Sequence, residues 1–164
     1  MPDRGRPGLA QMVRHLRRSN EIARHAMTRG HHPFGALLVG PDHETVLLEQ
    51  SNIDTVNHAE STLARLAATR FTPAFLWQCT LYTAVEPCCM CAGTAYWANI
   101  GRVVYAMSEA QLLAQTGAHP ENPTLSVPAQ YVFAHGQKAV ELIGPVQEVV
   151  DETVALQREF WARR

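Results

Sequence analysis

The 164-residue sequence lacks the features of membrane, exported and repetitive proteins. No apolar run approaches the roughly 20 residues that a membrane-spanning helix needs. The first residues, Met1–Gly8, are polar and no hydrophobic stretch follows them, so we expect neither a signal peptide nor a membrane anchor. No internal repeat or low-complexity tract is visible. We therefore expect a cytoplasmic protein with one compact domain over residues 1–164.

The sequence also has little excess of either charge. The formal net charge is -1 and the sequence pI is about 6.7, whereas dedicated nucleic-acid-binding proteins are more often basic. Nucleic acid is therefore not the expected partner. Arginines cluster near the two ends of the chain, and we interpret both clusters as solvated surface. They are Arg4, Arg6, Arg14, Arg17 and Arg18, followed by Arg163 and Arg164.

Cysteine is scarce, with Cys79, Cys88, Cys89 and Cys91 the four in the chain. Three of them lie within four positions of one another, whereas a disulfide framework would spread them along the chain. Because no export signal is expected, metal binding is the favoured use of this cluster.

What the sequence does contain is an alternation of short apolar runs and helical patterns. Apolar residues at helical spacing predict a helix over roughly 9–29, which Gly30 and Pro33 end. The runs Phe34–Gly40 and Thr45–Gln50, joined by a turn, predict a hairpin. Further helices are predicted over about 58–69, 73–78, 87–99, 108–116, 129–135 and 147–162, with strands over 79–85, 102–106 and 139–143 and a long loop over 117–128. The expected fold is one α/β domain whose mixed sheet lies between helices.

Two short fragments carry candidate metal ligands, His58-Ala59-Glu60 and Pro87-Cys88-Cys89-Met90-Cys91, and each starts a predicted helix. Cys88 and Cys91 are three positions apart and share a helix face, near an N-terminus whose free N–H groups favour thiolate. Two thiolates with the neutral imidazole of His58 suit Zn²⁺ and leave the fourth tetrahedral position to water, the pattern of a catalytic site. Zinc lowers the pKa of that water to about 7.

Glu60, two residues after His58, is the candidate catalytic residue. A carboxylate at this position can take a proton from the water and pass it to a substrate nitrogen and to the leaving amine. The cysteine fragment is not specific by itself, because redox pairs and structural zinc sites also contain C-x-x-C. Two alternatives therefore remain: a structural zinc site with Cys79 or Cys89 as fourth ligand, and a redox-active cysteine pair. Neither alternative gives Glu60 a role.

At these residues the sequence resembles the cytidine deaminase superfamily, and within it the branch of guanine deaminases, fungal-type cytosine deaminases and tRNA adenosine deaminases. His58-Ala59-Glu60 and the segment Glu86–Gly93 look like its two zinc motifs. Pro33–Ala36 looks like its first strand and Ile100–Tyr105 like its fourth strand. The likeness runs from about Pro33 to Ala106 and, more weakly, over the whole chain.

The resemblance implies a three-layer α/β/α sandwich around a central five-stranded mixed sheet, with one zinc ion per subunit and usually a homodimer. It also implies that Asn52 holds the substrate base and that the main-chain amides of Ala59 and Glu60 contact the polar edge of the ring. The expected dimer faces are the helix over 88–99, with Tyr96 on its far side, and the helix over about 108–116.

The substrate is less closely specified. Phe34 and Trp97 match aromatic residues that stack on or border the base in the guanine deaminase group, although a π-face accommodates any flat heterocycle. In that group an acidic residue after the fourth strand contacts the exocyclic amine of guanine, and Glu109 and Gln111 are the candidates for its position. Core packing would also account for Phe34 and Trp97, and a turn for Asn52. Guanine is the first expected substrate, with cytosine or a triazine analogue next.

Two large aromatic residues, Phe160 and Trp161, lie near the end of the sequence, where chains are commonly polar and mobile. In the resembling nucleobase deaminases the C-terminal segment covers the active site, so Trp161 is a candidate substrate-binding residue on a lid. The alternative is that both side chains only fasten the last helix to the core.

Three classes of function remain open. The first is a zinc-dependent hydrolytic deaminase that releases ammonia from a free nucleobase or related small heterocycle. The second is a deaminase that converts adenosine to inosine in tRNA, which the near-neutral pI and the absence of a basic C-terminal helix disfavour. The third is a non-enzymatic, zinc-stabilised interaction domain.

Overall fold

A computed structural model of the chain describes residues 4–117 and 119–164. These residues form a five-stranded mixed sheet with helices packed on both faces, which confirms the predicted α/β/α architecture. Predictions that involve residues 1–3 or Ala118 lie outside the described residues. None of the described helices combines the length and apolar character that crossing a membrane requires.

The helices and strands begin and end close to their predicted bounds. The helices are α1 (Leu9–Thr28), α2 (Ala59–Arg70), α3 (Pro73–Leu76), α4 (Cys89–Trp97), α5 (Glu109–Thr116), α6 (Ala129–Ala134) and α7 (Gln147–Trp161). The strands are β1 (Gly35–Val39), β2 (Val46–Ser51), β3 (Thr80–Val85), β4 (Arg102–Met107) and β5 (Glu141–Ile143). Helix α4 begins later than predicted, because Cys88 has extended backbone and is its N-cap residue.

The order of the strands brings several strand ends to one side of the sheet. The order is β2–β1–β3–β4–β5, with β1 antiparallel to both neighbours and β3, β4 and β5 parallel. The carboxyl ends of β2, β3 and β4 and the start of β1 therefore meet at one edge, which we call the carboxyl edge. The opposite edge is the amino edge. Segments that leave the carboxyl ends of neighbouring strands can converge on one ligand site.

Alternate residues of the central strands supply two separate cores. Leu81 and Val103 are fully buried in the cluster that includes α2, α4 and α6. Their neighbours Tyr82 and Val104 are fully buried in the cluster that includes α1 and α7. Because helices cover both faces, β3 and β4 are buried along their whole length.

Helix α1 approaches the sheet closely at the start of β1. The Ser19 hydroxyl donates to the Gly35 carbonyl oxygen and accepts from the Ala84 amide, both at 2.8 Å, which joins α1 to β1 and β3. A Cβ atom at Gly35 would lie 2.7 Å from the Ser19 carbonyl oxygen, so this approach requires glycine. The contact places Phe34, the residue before β1, at the carboxyl edge.

Six of the seven clustered arginines are exposed, as expected, whereas Arg4 is partly buried. Arg4 donates to the carbonyl oxygens of Trp77, at 3.3 Å, and Gly101, at 2.6 Å, and its guanidinium lies 4.6 Å from the centre of the Trp77 ring. Arg18 forms a salt bridge with Glu49 at 2.6 Å. These side chains fasten the N-terminal segment and α1 to the sheet.

Candidate active site

His58 and Cys88 occupy equivalent positions at the carboxyl edge. Each is the N-cap residue of the helix that follows it, α2 for His58 and α4 for Cys88, and neither side chain caps its own helix. Cys91 lies in the first turn of α4, three residues after Cys88. The two helix N-termini thus bring all three side chains together.

The three side chains have the geometry of ligands to one metal ion. The Nδ1 atom of His58 lies 3.6 Å from the Cys88 sulfur and 3.5 Å from the Cys91 sulfur, and the three ligand atoms lie within 4.8 Å of one another. Zinc–nitrogen and zinc–sulfur bonds of about 2.1 and 2.3 Å at a tetrahedral angle would place these atoms about 3.6 Å apart. The donor set and its spacing therefore fit Zn²⁺, with one coordination position left open.

The local electrostatics favour a thiolate in this cluster. The hydrogen bond with Cys91 is the main cause of the lowered pKa of Cys88, and the hydrogen bond with His58 adds to it, although burial opposes the shift. The pKa of Cys91 is raised, because its thiol shares the hydrogen bond with Cys88 and is buried. A metal ion removes this competition, since a coordinating thiol is deprotonated. His58 also hydrogen bonds to the Thr55 backbone, a type of contact that orients metal-binding imidazoles.

The other two cysteines do not complete a four-ligand structural site. Cys79 lies at the amino edge, where its thiol donates to the Phe75 carbonyl oxygen at 3.4 Å and burial raises its pKa to about 12. Cys89 follows Cys88 on α4 but is not part of the ligand cluster. Over residues 4–117 and 119–164, the cluster of His58, Cys88 and Cys91 has no fourth His, Cys, Asp or Glu ligand.

Glu60 lies beside the ligand cluster without belonging to it. Its side chain is buried, and Oε1 accepts a hydrogen bond from the Thr83 hydroxyl at 2.9 Å. Burial raises the pKa of this carboxyl and the negative charge of Cys88 adds to the effect, whereas hydrogen bonds with Cys91 and Thr83 oppose it. A buried carboxyl with a raised pKa beside a metal-ligand cluster is typical of groups that transfer protons.

A cavity of about 520 Å³ opens beside these residues at the carboxyl edge, a volume typical of small-molecule sites. Phe34 and Asn52, both predicted to bind substrate, line it. The Asn52 side chain is buried, and its Nδ2 donates to the Asp54 carbonyl oxygen at 3.3 Å, so it supports a turn as well as lining the cavity. Ala59 is buried at the first position of α2, where helix geometry leaves its N–H without an intrahelical partner.

Glu109, at the start of α5, also lines the cavity. Burial is the main cause that raises its pKa to about 8, and the negative charges of Cys88 and Glu60 add to it. Gln111, the other candidate for this role, forms a capping box with Ser108: each side chain accepts from the other residue's amide, at 2.9 and 3.1 Å. Glu109 therefore presents the acidic group that follows the fourth strand.

Trp97, predicted to border the substrate, is not among the residues that line this cavity. Its side chain is 79% exposed and packs edge-on against Tyr96. Six residues separate it from Cys91, which corresponds to a rotation of roughly 240° around α4 and places it on a different face. Tyr96, predicted on the far side of the helix, is instead half-buried, and its hydroxyl accepts from the Gln137 amide at 2.9 Å.

Trp161 lies behind the cavity wall rather than in it. The indole is buried, its Nε1 donates to Gln157 Oε1 at 2.9 Å, and it packs edge-on against the ring of His32, a lining residue, with ring centres 5.0 Å apart. Gln157 in turn donates to the Pro33 carbonyl oxygen at 2.7 Å. Helix α7 therefore supports the residues before β1 from behind, and Trp161 reaches the cavity through His32.

One wall of the cavity was not assigned from the sequence. It consists of the five residues Glu121, Asn122, Pro123, Thr124 and Leu125. Arg164 donates to Glu121 at 2.8 Å, and the same carboxylate lies 3.4 Å from His32 Nε2. The prolines of this stretch indicate a loop, but no periodic pattern indicates which surface the loop would cover.

Comparison with known proteins agrees with this geometry. Residues 10–107 match the family model of the cytidine and deoxycytidylate deaminase zinc-binding region. The chain is 29% identical over 150 residues to a probable cytosine deaminase of Schizosaccharomyces pombe, which covers 90% of each chain. It is 42% identical over 78 residues to a guanine deaminase of Bacillus subtilis, which covers 45% of this chain and 49% of that one.

A solved structure of the guanine deaminase from Nitrosomonas europaea shares the fold, with a TM-score of 0.73 and 22% identity over 99% of this chain and 88% of that chain. The stretch matched by the family model contains the whole ligand cluster and Glu60. The chain therefore belongs to the cytidine and deoxycytidylate deaminase family of zinc-dependent aminohydrolases.

Proposed function

We propose that this deaminase acts on a free nucleobase or a related small heterocycle, with guanine as the first choice and cytosine or a triazine analogue next. The observation that carries the proposal is the cavity of about 520 Å³, whose lining includes Glu60 and Glu109 together with Phe34 and Asn52. Groups suited to holding a flat base thus share one small space with the hydrolytic machinery. Residues 121–125 form one of its walls, which favours a small substrate over a base within a polynucleotide.

The reaction replaces an amino group by oxygen: water adds to a ring carbon, and ammonia leaves. A zinc ion held by His58, Cys88 and Cys91 supplies Lewis-acid activation of the attacking water. Glu60, as the carboxylate, takes one proton from the water and gives it to the adjacent ring nitrogen. It then carries the second proton to the amino group, so that the C–N bond breaks as the C=O bond forms. The raised pKa of Glu60 suits both the accepting and the releasing step.

An ammonia-release assay on a panel of free bases and their nucleosides tests the proposal. With zinc-loaded protein, we expect the highest kcat/KM for a free base, with guanine ahead of cytosine, a triazine and adenine. The ribose of a nucleoside would have to fit beside the wall formed by residues 121–125, so nucleosides should react more slowly. Turnover restricted to nucleosides would contradict a free-base substrate.

Editing of adenosine in tRNA is the alternative within the same chemistry. Binding of tRNA at moderate salt and formation of inosine separate it from the first proposal. Inosine formation in tRNA without ammonia release from any free base would establish the alternative. Absence of both reactions in protein that retains zinc would favour a non-enzymatic interaction domain.

We also propose that the chain forms a homodimer. Trp97 is 79% exposed and Met90, which also lines the cavity, is 36% exposed; they are seven positions apart and lie on one face of α4. Large apolar side chains grouped at a surface indicate an interface with another protein. Sedimentation at micromolar concentration is expected to show a dimer for the wild type and a monomer for Trp97→Lys. A wild-type monomer under these conditions would overturn the proposal.

A further inference from the structure

Glu86 is a buried carboxylate between β3 and α4, and main-chain amides engage both of its oxygen atoms. Oε1 accepts from the Glu109 amide at 3.1 Å, and Oε2 accepts from the Ala129 amide at 2.7 Å. Glu109 is the first residue of α5 and Ala129 the first residue of α6. The side chain is 7% exposed, so these hydrogen bonds are shielded from water. One carboxylate therefore joins the starts of two helices that lie 20 positions apart in the sequence.

The two amides lie at the two ends of a segment, residues 109–129, that supplies a large part of the cavity wall. Glu109, Leu112 and the five residues 121–125 all line the cavity. The middle of the segment is held through Glu121, which forms a partly exposed salt bridge with Arg164 and lies 3.4 Å from His32 Nε2. Exposed pairs of this kind contribute little to stability. The buried hydrogen bonds of Glu86 therefore hold the ends of the segment more firmly than the exposed salt bridge holds its middle.

The backbone of Glu86 is fixed as firmly as its side chain. Its amide donates to the Met107 carbonyl oxygen at 2.7 Å, which ties the end of β3 to the end of β4. Pro87 and the zinc ligand Cys88 follow directly in the sequence. The same short stretch therefore holds a ligand of the metal cluster and, through the carboxylate, the opposite wall of the cavity.

We propose that Glu86 is a positioning residue for deamination: it fixes both ends of segment 109–129 and so sets the distance between Glu109 and the ligand cluster. Glu86 also lines the cavity, but each of its oxygens already accepts from a main-chain amide, so it acts through Glu109 and the wall 121–125. The role requires a carboxylate, since an amide side chain offers one acceptor oxygen and would turn an N–H donor toward the second amide. The inference rests on the proposed function in assuming a substrate that contacts Glu109.

A graded pair of variants with a matched control tests the role in turnover. Glu86→Gln keeps one acceptor and Glu86→Ala keeps none, so we expect KM to rise about tenfold in the first and further in the second. We expect kcat to change by less than about threefold and zinc content to stay at one per chain, because Glu60 and the ligands are untouched. Glu141→Gln removes a carboxylate at the amino edge, where Glu141 accepts from Arg102. This control should lower the melting temperature and leave KM unchanged.

Amide hydrogen exchange on the zinc-loaded protein supplies a readout that needs no substrate. In Glu86→Gln we expect faster exchange at Glu109, at Ala129 and across 119–125, with α2 unchanged. If the wild type deaminates no free base, the proposed function fails, and exchange still decides the role of Glu86. Wild-type KM in a folded, zinc-loaded Glu86→Ala, or wild-type exchange across segment 109–129 in Glu86→Gln, overturns the inference. Should the alanine variant fail to fold, the glutamine variant decides both measurements.

Discussion

The amino and carboxyl edges of the sheet both bury charged side chains, and those at the carboxyl edge face a cavity. At the amino edge Arg102 is 2% exposed, and its three guanidinium nitrogens donate to Glu141 at 3.0 Å, to Thr80 at 3.3 Å and to the Gly5 carbonyl oxygen at 2.6 Å. A buried charge matched in this way holds the fold together, and removing one partner is costly.

At the carboxyl edge the charges are matched less completely. Glu60 accepts from Thr83, yet burial still raises its pKa, and burial likewise raises the pKa of Glu109 to about 8. These carboxyls face the cavity rather than a fixed cation. Carboxyls whose pKa values are shifted by burial are a feature of functional sites, because a substrate or metal ion later supplies the missing partner.

The largest expected effect is the difference in zinc binding and activity between alanine variants of two buried cysteines, Cys91 at the carboxyl edge and Cys79 at the amino edge. Cys91→Ala removes a zinc ligand and should abolish zinc binding and turnover, with a lowered melting temperature because metal-binding energy is folding energy. Cys88→Ala should destabilise the fold for the same reason. Cys79→Ala removes a thiol of the amino edge and should leave zinc content and activity at wild-type values. Metal analysis and ammonia release measure both properties, and full zinc retention in Cys91→Ala would remove Cys91 from the site.

Glu60→Gln is expected to have the next largest effect. The variant keeps the size of the side chain but cannot carry a proton, so the rate should fall roughly 10²-fold or more while zinc stays bound. Single-turnover kinetics at matched zinc content would measure the loss. Near-normal turnover would show that another group moves the proton.

Two buried tryptophans, one near each edge of the sheet, allow the effects of lost packing at the two edges to be compared. Trp161 packs behind the cavity and Trp77 packs beneath Arg4 at the amino edge, so alanine at either position should cost about 3–5 kcal/mol of stability. Because Trp161 contacts His32, Trp161→Ala should also change KM, whereas Trp77→Ala should not. Melting temperature and steady-state kinetics separate the two effects. Unchanged kinetics in Trp161→Ala, with only lowered stability, would establish that α7 merely fastens the core.

The smallest expected effect is a pH dependence of stability that originates at Glu109. Its pKa rises from 4.5 to about 8 on folding, so between these values the folded protein holds a proton that the unfolded chain has released. The free energy of unfolding therefore falls as pH rises through this window, and Glu109→Gln should gain stability relative to the wild type over the same range. Bound zinc should narrow the window, since a nearby positive charge favours the carboxylate. Denaturant titrations at several pH values measure the difference, and parallel curves would contradict the assignment.

Much of the fold could be predicted because its signals are local. Helical spacing indicated α1, and the apolar runs before and after the turn at 41–44 indicated β1 and β2. The metal ligands were equally local in origin: Cys88 and Cys91 share a helix start, and His58 stands at another. One imidazole and two thiols form a donor set that indicates zinc without any knowledge of the distances between them.

The features that the sequence did not indicate are contacts between distant parts of the chain. Trp97 was expected at the cavity, but its face of α4 depends on where the helix begins and how it packs. The wall 121–125 and the two hydrogen bonds of Glu86 depend on how far segment 109–129 folds back toward β3. No spacing of residues within that segment indicates how far it folds back toward β3.

The sequence by itself determined the kind of chemistry: an imidazole, two thiols and a carboxyl lie in two fragments that begin helices, and they predict the zinc ligands and the residue that moves protons. Tertiary structure alone decided what surrounds that chemistry. It brought Phe34, Asn52 and Glu109 into one cavity, because the start of β1 and the ends of β2 and β4 meet at the carboxyl edge. The spacing of apolar residues specifies which face of a helix or strand is buried, whereas the strand order specifies which strand ends become neighbours.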